Sequence, residues 1–322
     1  MVTKRTVFVV GAGASKSYGV GTANDLYEKA IGLGSASDIY QLLLSCCYER
    51  IDVELSGAIK NLAAHGGPSI DEFIEQRWHS PHLVQFGKLT LAALMGVELV
   101  RLRERERETK PKDDDWLRHL ADCVAAGVSN AKDFAEMVAS NLSFVTFNFD
   151  SIIEQQMAAR IRERYAGDPD LSKALRAVNV IHIHGALNAP PQAPLRGDRG
   201  APGYTAVGIS GEWIEWTRAA AETIHLTHEE IERSLLAKVQ DLIGQVEMLC
   251  FMGFRYESGN LAKLGLPARL KHSSSQHIAG TGYGLTPAER ERVVEIFGDP
   301  TIRLGDKPCK CRAFLDEYRV IR

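Results

Sequence analysis

The run Val7-Phe8-Val9-Val10, closed by Gly11-Ala12-Gly13-Ala14-Ser15-Lys16-Ser17, most restricts what this chain can fold into. An unbroken apolar, β-branched run with no polar alternation reads as a strand buried on both faces, and such strands belong to parallel sheets covered by helices. The glycines and small polar residues that follow predict a sharp turn into a helix. A turn of that kind is a phosphate cradle, because glycine lets backbone approach a ligand and a helix start presents free N–H groups to an anion. Two familiar forms of the cradle fail at named positions. A dinucleotide-binding Gly-x-Gly-x-x-Gly needs glycine where Lys16 stands, and a P-loop needs glycine directly before Lys-Ser where Ser15 stands.

Further strands are expected where similar runs recur. Ser143-Phe144-Val145-Thr146-Phe147 predicts a second strand ending in Asn148-Phe149-Asp150, with Ser151 capping a helix through Glu154 three residues on. Val178 to Ile183 predicts a third, ending at His184-Gly185, with His182 and His184 on one side and Gly185 leaving room for a ligand. Met248 to Met252 predicts a fourth, ending at Gly253-Phe254, and Ile278 to Gly282 a fifth. In an open α/β sheet the carboxyl ends of the strands are where ligands bind, so Asn148, Asp150 and His184 are the candidate functional side chains.

Between the first two strands the pattern is helical from about residue 25 to 140. Ser69-Ile70-Asp71-Glu72 reads as a capping box, and a long helix runs from about Pro81 to Glu108. The end of that helix alternates charge sign from Arg101 to Glu108, which suits a solvated face better than a nucleic-acid surface; Pro111 stops it before Asp113-Asp114-Asp115. Residues 188–210 are rich in Pro and Gly and predict a loop, either a lid or a disordered segment. Trp213 and Trp216 begin another helix, Thr227-His228-Glu229-Glu230 caps the next, and Thr286-Pro287-Ala288-Glu289 caps one more with proline at its first position. Thr301 to Leu304 and Ala313 to Ile321 predict an edge strand and a tail. The expected architecture is one Rossmann-like α/β domain over 1–322, with residues 1–24 and 141–322 as its nucleotide-binding core and 25–140 as a helical insertion.

Composition excludes rather than selects. A net charge of -3 gives no general attraction to nucleic acid or anionic membrane. The apolar tract from Leu89 to Val100 is too short to span a bilayer. The six cysteines form no CxxC pair, so neither a disulfide framework nor a zinc site is expected, and a cytoplasmic location is.

Gly11-Ala12-Gly13-Ala14-Ser15, Thr146-Phe147-Asn148-Phe149-Asp150, His184-Gly185 and Gly253-Phe254 occur in the order, and at the strand ends, of the SIR2 family. The pattern resembles the SIR2-like proteins of bacterial anti-phage defence more than the protein deacylases. Deacylases continue the glycine loop into Gly-Ile-Pro-Asp-Phe-Arg, where this chain has Gly19-Val20-Gly21-Thr22-Ala23-Asn24, and they carry a zinc module of two CxxC pairs. The resemblance implies hydrolysis of NAD, with Asn148 and His184 as the catalytic pair and Asp150 in support. It places Gly11, Ala12, Gly13, Ser15, Thr146, Gly253 and Phe254 around the dinucleotide, and it implies control by homo-oligomerisation or a separate sensor protein. A regulatory module that binds NAD or ADP-ribose without turnover, and an NAD-dependent deacylase or ADP-ribosyltransferase, remain the alternatives.

Overall fold

The computed structural model describes residues 4–47, 52–67, 69–107, 114–225, 233–268, 270, 276–298, 302–306 and 308–318. Six parallel strands, β1 (Thr6–Val10), β2 (Leu142–Thr146), β3 (Asn179–His182), β4 (Met248–Met252), β5 (His277–Gly280) and β6 (Arg303–Leu304), form one sheet in the order β3-β2-β1-β4-β5-β6. This is the doubly wound order of the Rossmann type, whose chain reverses direction across the sheet between β1 and β4. β1 lies at the centre, and Val7, Phe8 and Val9 are wholly buried, as an apolar run without alternation requires.

Alternate side chains of β1 serve two cores. Phe8 and Val10 join Phe144, Cys250 and Met252 on one face, while Val7 and Val9 join Val145, Leu249 and Phe251 on the other. The first face carries the helices between β1 and β2: α1 (Ala23–Ile31), α2 (Asp38–Cys46), α3 (Asp52–His65), α4 (Ile70–Glu75), α5 (Pro81–Arg107), α6 (Trp116–Ala125) and α7 (Ala131–Asn141). It also carries α8 (Ile152–Arg164), α9 (Leu171–Ala177) and α10 (Gly211–Thr223). The second face is covered by α11 (Arg233–Gln245), α12 (Ser258–Lys263) and α13 (Pro287–Phe297), and α14 (Cys311–Glu317) packs Phe314 and Leu315 back into the first core.

Some helix starts follow the local capping chemistry and others do not. Thr22 with Asp25, and Thr286 with Glu289 and proline in the first turn, form complete capping boxes. Ser69 accepts from the Glu72 amide, which is half of the expected box. Ser151 makes no cap bond; Asp150 Oδ1 accepts the Ile152 amide at 3.1 Å in its place. The capping segment expected at Thr227 lies outside the described residues, as do Glu108, Pro111 and Asp113.

Three other expectations are revised. α5 includes a 24-residue stretch, Pro81–Glu104, long and apolar enough to cross a bilayer, but 67% of its apolar window is buried against neighbouring helices. It is a core helix, because its apolar residues surround it rather than marking one stripe. The 188–210 segment is an ordered arm: antiparallel bridges join Arg196 to Ile209 and Tyr204 to Ser210. Arg103 donates to Pro190 O at 2.9 Å, Arg196 pairs with Asp38 at 2.8 Å and the Trp213 indole donates to Ala193 O at 2.9 Å, pinning the arm to α5, α2 and α10. The terminal stretch beyond β6, expected as a tail, contains α14, since Cys311, Phe314 and Leu315 recur on one buried helical face.

Candidate active site

The glycine turn after β1 does not feed an α-helix directly. Two 3-10 turns, Ala12–Ala14 and Lys16–Tyr18, intervene before α1. The amides expected to cradle a diphosphate are satisfied internally: Gly11 donates to Met252 O (3.0 Å), Gly13 to Gly253 O (3.0 Å), Ala14 to Gly11 O (3.0 Å) and Ser15 to Ala12 O (3.1 Å). The glycines serve a contact between two loops. A Cβ on Gly11 would lie 2.7 Å from Gly253 O, and one on Gly13 2.8 Å from the same atom. Gly253 itself sits at φ +56, and a Cβ there would collide with the Ala14 backbone nitrogen. The loops ending β1 and β4 therefore interlock at the switch point, leaving half-buried Ala12 and exposed Gly13 as the turn's outer surface.

Ser15 turns inward and joins the strand-end residues. Its Oγ donates to Asp150 Oδ2 at 2.9 Å and accepts from Asn148 Nδ2 at 2.9 Å. The Asn148 amide also donates to Gly11 O at 3.3 Å; a carbonyl can only accept, which fixes the amide orientation. Asn148 thus spends its donors on the protein, and its Oδ1 accepts from none of the described residues. Thr146, expected near the ligand, is fully buried and acts on Asn148 instead, its Oγ1 accepting the Asn148 amide proton at 3.0 Å. Burial pushes the Asp150 carboxyl above its ordinary range, while the bonds from Ile152 and Ser15 pull it back.

β2 and β3 pair with Thr146 opposite His182, and Ile183 N donates to Thr146 O beyond the last pair at 2.9 Å. The pairing ends there, so Asn148 and His184 each stand two residues beyond the end of neighbouring strands. Sequence alternation placed both histidines together, yet they serve different ends. His182 is held by Asn148 O (2.9 Å) and the Glu154 carboxylate (2.8 Å). Burial lowers its basicity, but Glu154, Asn148 O and Asp150 together raise it above the ordinary value.

His184 lies against Phe147 and Phe149, ring centroids at 5.6 and 6.2 Å. Its Nδ1 is 2.9 Å from His225 O, so Nδ1 carries the proton and Nε2 keeps the lone pair. Lys263 Nζ stands 3.4 Å from Nε2. Burial, then the Lys263 charge, holds the His184 pKa down at about 4, so the ring is neutral at physiological pH. Gly185 is at φ +85, and its missing side chain admits the Thr223 carbonyl at the end of α10, not a ligand. The Phe254 ring, expected beside the ligand, packs in the second core against Phe147 and Phe251, both at 5.3 Å.

Two residues of this region escaped sequence reasoning. Lys263 ends a six-residue helix with no motif around it. Asp71 carried a signal, but one read as helix capping; its Oδ1 is buried without a hydrogen-bond partner, and burial followed by Glu75 raises its pKa to about 6.

Strand order and strand-end chemistry define a doubly wound α/β protein with a buried polar cluster at the carboxyl edge of β1, β2 and β3. No family model matches the chain, and no curated protein matches it. Among solved structures it is similar to a SIR2 homologue in complex with NAD, at 13% identity and a TM-score of 0.41, covering 98% of this chain and 88% of that one. A mutant of Sir2 homologues in complex with 2'-O-acetyl ADP ribose matches at 13% identity and a TM-score of 0.39, covering 97% and 89%. Sir2Tm bound to a propionylated peptide matches at 12% and 0.36, covering 99% and 95%.

Proposed function

We propose that this chain is an NAD hydrolase that cleaves the nicotinamide–ribose bond to give nicotinamide and ADP-ribose. The observation that carries the reading is the placement, two residues beyond the ends of the paired strands β2 and β3, of an uncharged acceptor, Asn148 Oδ1, and a neutral imidazole whose protonated nitrogen is fixed by His225 O. The chemistry asks for that combination. Nicotinamide leaves NAD neutral and needs no acid, so what remains is to position the ribose and to deprotonate the attacking water. Asn148 Oδ1 accepts from a ribose hydroxyl or from the water without adding charge. As the oxygen of water bonds to the ribose carbon and the bond to nicotinamide breaks, the water proton passes to His184 Nε2. Ser15, anchored on Asp150, holds the Asn148 amide in place, and Ala12 and Gly13 are the part of the glycine turn within reach of the dinucleotide.

The motif resemblance extends the proposal to an anti-phage effector that depletes NAD, acting in the cytoplasm and gated by self-association or by a sensor protein. Incubation with NAD and identification of products, for the wild-type chain and for Asn148→Ala and His184→Ala, tests the core of it. Nicotinamide release that both substitutions remove supports hydrolysis. The Lys263 ammonium on the His184 lone pair favours one second reading, NAD binding without turnover, and tight binding with no nicotinamide release in any assembly state would establish that instead. Release only in the presence of an acyl-lysine peptide would point to a deacylase.

A further inference from the structure

Lys263 sits where the proposed base must work. Its Nζ, 3.4 Å from His184 Nε2, occupies the direction from which a substrate proton would arrive. A neutral imidazole at that length is a poor partner for a half-buried ammonium. Lys263 forms no ion pair with any carboxylate of the described residues, yet Glu75, Asp71 and Glu257 all act on its charge. Glu75 and Glu257 are exposed and hydrated. Asp71, on α4, differs, since its buried Oδ1 lacks a hydrogen bond altogether. An under-satisfied ammonium beside the base thus lies within electrostatic reach of a buried carboxylate oxygen that has no partner, and the long Lys263 side chain has the freedom to exchange one for the other.

We infer that Lys263 is a two-position latch: on His184 Nε2 it blocks the base, and on Asp71 Oδ1 it frees it, so that Asp71 and Lys263 are positioning residues for His184. Substrate entry favours the second position, because a ribose hydroxyl or water then takes the vacated place on Nε2. The charged and titratable groups involved come from three sides: Asp71 and Glu75 on α4, Glu257 and Lys263 at the two ends of α12, and His225 beyond α10. Removing the ammonium raises the basicity of His184; removing the Asp71 charge strands Lys263 on the ring.

The kinetic part of the test rests on the hydrolase reading, and the spectroscopic part does not. The imidazole of His184, labelled with 15N and assigned by its loss in His184→Ala, is titrated in the wild type and in Lys263→Met, which keeps the length of the side chain. In the wild type it titrates near 4. The midpoint rises by about one unit or more in Lys263→Met, since both a nearby positive charge and its proton are gone. With NAD at pH 7, kcat rises about three- to ten-fold in Lys263→Met and falls about ten-fold in Asp71→Asn, while the double variant behaves like Lys263→Met. An unmoved His184 midpoint in Lys263→Met overturns the latch, and so does an Asp71→Asn defect that persists undiminished in the double variant. A shifted midpoint without turnover in any variant supports the latch and removes the hydrolase reading.

Discussion

Asp71→Asn offers a test in which stability and activity move in opposite directions. The substitution keeps the shape of the side chain and removes only its ability to ionise. In the folded protein burial holds the Asp71 carboxyl up at about 6 against an ordinary 3.8, and Glu75 and Glu257 raise it further while Lys263 lowers it. A folded-state pKa above the unfolded value means that the native state prefers the protonated carboxyl. Its contribution to stability is therefore fully present below about pH 4 and is lost as pH rises toward about 6, above which ionised Asp71 is a constant burden. The displacement of about two units corresponds to about 3 kcal/mol. Urea unfolding followed by circular dichroism, at pH 4 and pH 8, reads the difference between variant and wild type. Asp71→Asn is expected to be more stable by up to about 3 kcal/mol at pH 8 and nearly unchanged at pH 4. A variant less stable than the wild type at pH 8, or a gain independent of pH, would refute the reasoning and would mean that the carboxylate is solvated or paired in the folded state. A gain in stability accompanied by the loss of turnover expected above is the signature of a strained functional group, because a structural carboxylate would lose both or neither.

Other expected outcomes follow from single contacts. Gly13→Ala drives a methyl group to 2.8 Å from Gly253 O, where only backbone can yield, and is expected to lower stability by about 2 kcal/mol or more in thermal or urea unfolding. Ser15→Ala removes the hydroxyl between Asn148 and Asp150, leaving a buried carboxylate short of one donor; it is expected to cost about 1.5–3 kcal/mol of stability and to lower kcat more than it raises KM, because the Asn148 amide loses one of its two anchors. Glu98 is 3% exposed, pairs with Lys29 and accepts the Gly21 amide at 2.6 Å, so Glu98→Ala is expected to destabilise by about 3 kcal/mol and to speed proteolysis within Gly19–Thr22.

The legible part of this protein is the part in which neighbours in sequence are also the physical cause. The apolar runs at Val7–Val10 and Met248–Met252 announced buried parallel strands, because a strand covered on both faces has no polar position to spare. The capping box at Thr286 closes within four residues and reads directly, whereas the equally local box at Thr22 is found only in the structure. Ser151 misled for a related reason: a serine in a capping position was outcompeted by Asp150, whose carboxylate is the stronger acceptor and was one residue away. The arm at 188–210 looked structureless because its order comes from Asp38, Arg103 and Trp213, two of them far away in the chain.

At the candidate site the division is sharper. Asn148, Asp150 and His184 were visible as polar residues closing apolar strands, a purely local pattern. Their assignments were not. That Ser15 bridges Asn148 and Asp150 across 133 and 135 positions, that Gly11 and Gly13 make room for Gly253, and that Lys263 caps His184 across 79 positions are consequences of strand order. The sequence by itself determined the strands, several helix starts and which residue types would stand at the sheet's carboxyl edge, since burial periodicity, turn chemistry and capping act over a few residues. Which of those residues share a hydrogen bond, which donors are already spent and which charge sits on the base were decided only by the tertiary structure, because they depend on the order in which distant strands pair and on which surfaces that pairing removes from water.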